Sequence, residues 1–423
     1  MAKRKKPSPR LVAANERGEI LDHPEFLMLC RRGRELFEPR PDEIMSLPGE
    51  SELFLLPGRR ALGLDPETGE AAVMEETAVA AFVSPGHTLA AHAAFEPDAD
   101  APVLPMFAYA GVGYEDGKFW VTARKVDEDP RQQFASIPQE RIRQGARRLQ
   151  RRFPENRLVR HLMTCALTYS CPAARNLALG RFEAPLPTSR ACNARCVGCI
   201  SLQPEDSGFP ATQNRIAFTP TAAEIKEVMQ AHGERVKEPV YSFGQGCEGE
   251  PLTEAELIAE AVRDFRAAGG RGTVNVNTNA SRPEVMPMLA EAGLTSIRAT
   301  LCSARKELYE AYHRPQGYAF EDVHRAIGEA RRLGLFVSLN LLFFPGVTDT
   351  EAELAALIDL VREHRVDFIQ LRNLNIDPDL YLELTEDMDL GPSVGLANFR
   401  KRLKKACEWV GSGYFNPWVE TSR

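Results

Sequence analysis

Apolar and polar residues change rhythm along this chain. Up to about residue 130, short apolar runs are bounded by turn residues, the pattern of a β-rich region. Glu52-Leu53-Phe54-Leu55-Leu56 reads as a strand, and Asp65-Pro66-Glu67-Thr68-Gly69 as a turn between strands. Residues 107–114 and 118–125 flank Glu115-Asp116-Gly117 and read as a hairpin, because an Asp-Gly pair supplies the positive φ angles of a tight turn. Residues 131–183 read as helical and basic, with Arg141, Arg143, Arg147, Arg148, Arg151 and Arg152 on a solvated face.

From residue 184 strands alternate with helices. Expected strands cover 184–190, 240–243, 273–279, 295–302, 335–344 and 367–375. The prolines of the first suit an edge strand. Capping boxes are expected at Thr221–Glu224, Thr253–Glu256 and Thr348–Glu351. Helices should end near Val236, at Gly269-Gly270 and, for 320–333, at Gly334. A last helix is expected over 394–410, before the aromatic tail Tyr414-Phe415-Asn416-Pro417-Trp418, which should pack on the barrel. Strands joined by helices imply a parallel sheet, whose chemistry sits at the carboxyl ends of its strands.

Strand alternation assigns faces. In 273–279 the asparagines Asn275, Asn277 and Asn279 share one face and Val274 and Val276 the other. Arg298, Thr300 and Cys302 share a face of the next strand, Ser338 and Asn340 of the fifth, and Gln370 and Arg372 of the sixth. The valines should meet helices, and the polar faces should line a lumen that holds a polar ligand.

The chemistry centres on Cys192-Asn193-Ala194-Arg195-Cys196-Val197-Gly198-Cys199. C-x3-C-x2-C lets one loop wrap a single metal centre through thiolates, the usual ligands of iron–sulfur clusters. A closed zinc site wants four ligands, and here three are local with no His near them. One strand later comes Gly244-Gln245-Gly246-Cys247-Glu248-Gly249-Glu250-Pro251, a glycine-rich turn with carboxylates that can bring backbone acceptors close to an ammonium.

Together these stretches resemble the radical S-adenosylmethionine (SAM) superfamily over about residues 184–376. The resemblance implies a partial (β/α)6 parallel barrel, an α/β fold, here preceded by a β-rich accessory domain. It implies a 4Fe-4S cluster on Cys192, Cys196 and Cys199, with one iron left open to the amino and carboxylate groups of SAM. One electron then cleaves SAM to methionine and a 5'-deoxyadenosyl radical, which takes a hydrogen atom from a substrate. Gly249, Glu250 and Pro251 match the amine-binding motif of that family, and Glu248 replaces its first glycine. By the same resemblance Thr300, Ser303, Arg314, Asn340 and Phe344 map to further SAM contacts, and Asn277, on the polar face of its strand, is expected to join them. A second departure is Gly198, where the family often has an aromatic residue before the last cysteine. An electron donor such as a flavodoxin or ferredoxin is implied.

The division expected is 1–130 accessory domain, 131–183 helical connector, 184–376 barrel and 377–423 tail. A net charge of -7 argues against coating a nucleic-acid backbone. Nine cysteines, clustered mid-chain, fit a reducing cytoplasm better than a secreted disulfide framework. No apolar run follows the basic start as a signal peptide requires, and none reaches membrane-spanning length. Lys3 to Lys6 read as a solvated terminus rather than an RNA contact. His87 and His92 have no partner at ligand spacing. Cys165 and Cys171 read as buried thiols, with an auxiliary cluster shared with Cys247 or Cys302 as the alternative. Cys302 and Tyr241 are candidates for hydrogen transfer by position. The substrate, a small molecule, peptide or protein, is left open. Other readings are a glycyl-radical-enzyme activase, an RNA-modifying enzyme, and a non-catalytic metal-binding or redox module, which would hold metal without cleaving SAM.

Overall fold

The computed structural model describes residues 7–419, so Lys3 to Lys6 lie outside the described residues. The first part of the chain forms an eight-stranded antiparallel sheet whose longest members are Glu52–Leu64 and Ala71–Phe82. The expected turn joins these two. Val112–Glu115 and Lys118–Val121 make the expected hairpin, shorter than the sequence predicts, with φ of 53° at Asp116 and 74° at Gly117. Three helices follow: α1 (Gln139–Arg152), α2 (Arg157–Leu167) and α3 (Pro172–Leu179).

The rest is a parallel sheet in chain order: β1 (Glu183–Pro185), β2 (Val240–Phe243), β3 (Thr273–Thr278), β4 (Ser296–Leu301), β5 (Phe336–Phe343), β6 (Phe368–Asn373) and β7 (Gly411–Gly413). Six strands are anticipated by the alternation of apolar runs. The seventh comes from the tail and is Gly-Ser-Gly, a triplet with almost no strand propensity of its own. Its pairing with β6, Gln370 opposite Gly413, makes it a strand. β1 is an edge strand and much shorter than expected, since the chain leaves the sheet after Pro185 to enter the cysteine loop.

Helices α4 (Ala222–Gly233), α5 (Ala255–Ala267), α6 (Met286–Ala292), α7 (Lys306–His313), α8 (Phe320–Arg332) and α9 (Glu351–Glu363) cover the outer face. Thr221 and Glu224 form the expected capping box of α4. The other two boxes do not form. The Thr253 hydroxyl instead bonds Ser189 Oγ at 2.7 Å and the Glu250 carbonyl at 2.8 Å. At α9 the cap is Thr350, whose hydroxyl donates to the Val347 carbonyl, while Thr348 donates its hydroxyl within the turn after β5. At Thr253 a tertiary partner, Ser189, outcompetes the local cap, and at Thr348 and Thr350 nearby carbonyls do. The tail helix α11 (Gly395–Ala406) is shorter than expected, and a short helix α10 (Pro378–Glu383) lies between β6 and it.

Val274 and Val276 are fully buried under the helices with Ile258, Val262 and Ile327. Burial of one such side chain is worth about 1.5–3 kcal/mol. The N-terminal sheet region docks on the carboxyl end of β6 and the segment that follows it. Thr88 Oγ1 donates to the Leu371 carbonyl at 2.6 Å, and Leu89 N–H to Asn373 Oδ1 at 2.9 Å. Arg59 and Asp377 form a buried ion pair of 2.7 Å across the same junction. Gly346 must be glycine: its φ is +86°, and a Cβ there would sit 1.9 Å from the Gly33 nitrogen. No helix among the described residues is long and apolar enough to cross a membrane.

Candidate active site

The cysteine loop carries no regular secondary structure, so its shape comes from hydrogen bonds made on both sides. Gly249 N–H donates to the Ser189 carbonyl at 2.7 Å and Glu250 N–H to that of Ala191 at 2.8 Å. The loop after β2 is thus zipped to the loop after β1. A side chain at 249 would break this seam, because its Cβ would lie 1.8 Å from the Ala191 oxygen. On the other side Val197 N–H donates to the Tyr312 carbonyl at 2.9 Å and Gln316 N–H to that of Asn193 at 2.8 Å. Gln203 Nε2 reaches the carbonyls of Val197 and Cys199 at 3.0 and 2.8 Å.

Cys192, Cys196 and Cys199 are half-buried and unpaired. His313 Nδ1 lies 3.3 Å from Cys196 Sγ, and Arg215 Nη2 donates to Cys199 Sγ at 3.7 Å. Among the described residues, the groups of three whose ligand atoms all lie within 4.8 Å of one another do not include this triad. A single tetrahedral zinc with bonds of about 2.3 Å holds its sulfurs about 3.8 Å apart.

A cavity of about 740 Å³ opens beside the loop. Gly249, Glu250, Asn277, Thr300 and Asn340 all line it, with Arg298 and Arg372. The polar strand faces do point inward, and the valines of β3 point to the helices. Asn340 Nδ2 donates to Thr300 Oγ1 at 3.2 Å, while Asn340 Oδ1 is buried with no partner. Phe82, Met106 and Phe107 from the N-terminal region form part of the wall.

Ser303, Arg314 and Phe344 do not line this cavity. The Ser303 hydroxyl donates to Glu353 Oε2 at 2.7 Å. Arg314 is exposed at the C-cap of α7. Phe344 is fully buried between Tyr381 and His92, with ring centroids 4.7 and 4.4 Å away. His92 therefore serves packing. Tyr241 and Cys302 also lie away from the lining. Alternation turns Tyr241 to the helix side, against Phe265, and Cys302 sits in a separate apolar cluster with Leu308 and Tyr312. Cys302 is thereby separated from Cys165, Cys171 and Cys247, which cluster together.

Several residues escape the sequence reading. Glu248, the departure from the glycine of the motif, is buried and accepts from the N–H groups of Thr188 and Ser189 at 2.7 and 2.9 Å. Tyr312 brings an aromatic ring to the place where Gly198 leaves room: a Cβ at 198 would be 2.6 Å from its hydroxyl. Asn416 reaches into the lumen, accepting from Gln370 Nε2 at 2.8 Å and donating to Glu183 Oε1 at 3.0 Å. The polar faces are thus partly satisfied by the tail, and only the mouth above Asn416 is free for a ligand. A glycine before the last cysteine and an Asn among tail aromatics are the signals that mark these positions.

Burial dominates the site's electrostatics. It raises the Glu250 carboxyl to about 7, against hydrogen bonds from Asn279 N–H and the Thr278 hydroxyl. It lowers Arg298 to about 9, helped by the nearby Arg372. Near Cys247, the Cys165 thiol is lowered, chiefly by its contact with the Cys247 sulfur.

Residues 186–358 match the family model described as the radical SAM superfamily. These residues form a radical SAM superfamily domain. A GTP 3',8-cyclase from Microcystis aeruginosa is 26% identical over 197 residues, 45% of this chain and 56% of the relative. The chain thus spans little more than half of the curated relative it matches. Among solved structures, the radical SAM methyltransferase TsrM from Kitasatospora setae is 19% identical, with a TM-score of 0.34 over 44% of this chain and 35% of that one. SuiB of Streptococcus suis, bound to the precursor peptide SuiA, is 14% identical, with a TM-score of 0.37 over 60% and 52%. The matched residues take in the C-x3-C-x2-C loop and strands β2 to β5 of the half-barrel.

Proposed function

We propose that this radical SAM chain is an enzyme that binds a 4Fe-4S cluster through Cys192, Cys196 and Cys199 and reductively cleaves SAM to start hydrogen abstraction from a substrate. The observation that carries the reading is the seam between the cysteine loop and Gly249-Glu250, which brings the cysteine loop, through Gly198, and a SAM-type loop to one polar cavity. A cluster held there by Cys192, Cys196 and Cys199 would supply the one electron needed for cleavage of SAM to methionine and a 5'-deoxyadenosyl radical.

The remaining work falls to this chain's side chains. Gly249 and Glu250 receive the amine of SAM, the Glu250 carboxylate being held by Thr278 and Asn279. Asn340 offers its unpartnered Oδ1 to a donor on the ligand, and Thr300 and Asn277 add polar contacts nearby. Tyr312 stands in for the aromatic residue that Gly198 lacks. Phe82, Met106 and Phe107 narrow the mouth and exclude water from it. Buried charges are then unscreened, so that Arg298 and Arg372 favour an anionic or strongly polar substrate group.

In this reading residues 1–130 are an accessory domain that covers the cavity, 131–183 a connector, 184–376 the barrel and 377–423 a tail that floors it. A one-electron donor such as a flavodoxin or ferredoxin is the partner. The decisive test is anaerobic reconstitution with iron and sulfide counted: about four irons per chain supports the reading. Tightly bound zinc without a brown chromophore overturns it. Comparing metabolites of a deletion strain and its parent then identifies the substrate.

A further inference from the structure

A second group of soft ligands lies outside the cysteine loop. His161 and Cys165 are four residues apart on α2 and therefore share a face of that helix. His161 Nε2 is 3.5 Å from Cys165 Sγ. Cys247 comes from the loop after β2, and the ligand atoms of His161, Cys165 and Cys247 all lie within 4.8 Å of one another. Cys171, at the N-cap of α3, packs against the same cluster, and its N–H donates to the Cys165 carbonyl at 3.0 Å.

Zinc bonds of about 2.0–2.1 Å to nitrogen and about 2.3 Å to sulfur put tetrahedral ligand atoms about 3.5–3.8 Å apart. The His161 group, with its ligand atoms all within 4.8 Å of one another, is compact enough for that. Thiolate with imidazole is also the donor set that selects zinc over magnesium or calcium.

We infer that His161, Cys165 and Cys247 hold a single tetrahedral zinc-type ion, distinct from the cluster of the cysteine loop, and that the ion draws in the adjoining Cys171 thiol as its fourth ligand. Binding replaces the thiol protons with bonds to the ion and releases those protons to solvent. The ion ties α2 and the start of α3 to the loop that carries Glu248 and Gly249. Its work is structural: it fixes that loop against the helical connector, and it needs no electron transfer.

The experiment uses the full chain with Cys192, Cys196 and Cys199 replaced by Ala, so that the loop triad binds nothing. Anaerobic titration with cobalt(II) alone should saturate at about one equivalent, with tetrahedral and thiolate charge-transfer absorption bands, and zinc should displace it. Adding Cys165→Ser and Cys247→Ser should abolish the bands with the circular dichroism spectrum unchanged. In the reconstituted wild-type chain, about one zinc should accompany the cluster iron, and His161→Gln should lose zinc while keeping iron. This second arm stands even where the triple variant folds poorly. Three results would overturn the inference: no tetrahedral cobalt bands, an iron–sulfur chromophore in the triple variant, or a Cys165–Cys247 disulfide in metal-free protein. Cobalt bands lost in His364→Gln but kept in the cysteine variants would overturn it too, assigning the ion to His324, Glu363 and His364 on the outer face.

Discussion

The Glu248 carboxylate accepts the Ser189 N–H at 2.9 Å, so the loop after β2 braces the start of the cysteine loop. The same oxygen accepts from Thr188 N–H, and the other oxygen from Gln245 N–H at 2.6 Å. The residue that departs from the glycine of the motif thus organises both loops. Glu248→Ala leaves buried donors unpaired, at about 1–3 kcal/mol each. A lower melting temperature and faster loss of iron after reconstitution are expected, with Glu248→Gln intermediate because its amide oxygen keeps one acceptor. An alanine variant with wild-type stability and iron retention would show that the brace is dispensable.

Asn340 and Val276 separate the two faces of the barrel. Asn340 offers an unpartnered oxygen to the cavity, and Val276 is fully buried under the helices. Asn340→Ala should weaken SAM binding by roughly tenfold to a hundredfold, equivalent to about 1–3 kcal/mol, with iron content and melting temperature unchanged. Val276→Ala should do the reverse, losing about 1–3 kcal/mol of stability through a cavity while SAM affinity holds. Equilibrium SAM binding and thermal melts on both variants decide the matter. Unchanged affinity in the first variant counts against the assignment of Asn340.

Asn416 reaches back from the tail to bond Glu183, Gln370 and Arg298. Asn416→Ala should deepen the cavity and unpair Gln370, lowering stability by about 1–3 kcal/mol without changing iron content. A variant as stable as the wild type would mean that solvent replaces the amide without loss.

The order of the barrel strands and the direction of β3 were legible because local chemistry and tertiary burial agree there. A strand covered by helices on one side and open to a polar lumen on the other must alternate, as Asn275-Val276-Asn277 does. Thr221 was legible as a cap because nothing else competes for its hydroxyl. Thr253 was not, since Ser189 and the Glu250 carbonyl claim it. β7 escaped because Gly-Ser-Gly has no pattern, and Asn416 because its partner Glu183 is 233 residues away in sequence. Ser303 matched a family position by type, yet Glu353 takes its hydroxyl. Tyr312 puts an aromatic ring beside Gly198, where sequence order alone shows none.

Glu353 gives the fold a pH dependence of its own. Burial raises its carboxyl to about 7, and one of its oxygens has no hydrogen-bond partner. The folded chain therefore holds this proton more tightly than the unfolded chain, where a Glu titrates near about 4.3. The stabilisation is complete below that value and disappears as pH rises through about 7, an effect on the order of 3–4 kcal/mol. Glu353→Gln cannot ionise and removes it. The melting temperature of the wild type should fall more between about pH 5 and about pH 8 than that of the variant, by several degrees. Parallel curves would show that Glu353 stays charged in the fold.

The central claim is that the thiols of the cysteine loop and the Gly249-Glu250 loop act on one SAM molecule. The most direct measurement is 5'-deoxyadenosine formed from SAM by the reconstituted, dithionite-reduced full chain under anaerobic conditions. Product should appear with wild-type protein and vanish in Cys192→Ala, Cys196→Ala and Cys199→Ala, each of which leaves one iron without its thiolate. A chain that carries its full iron and binds SAM yet forms no 5'-deoxyadenosine, or one that cleaves SAM with any of the three cysteines replaced, would contradict the account.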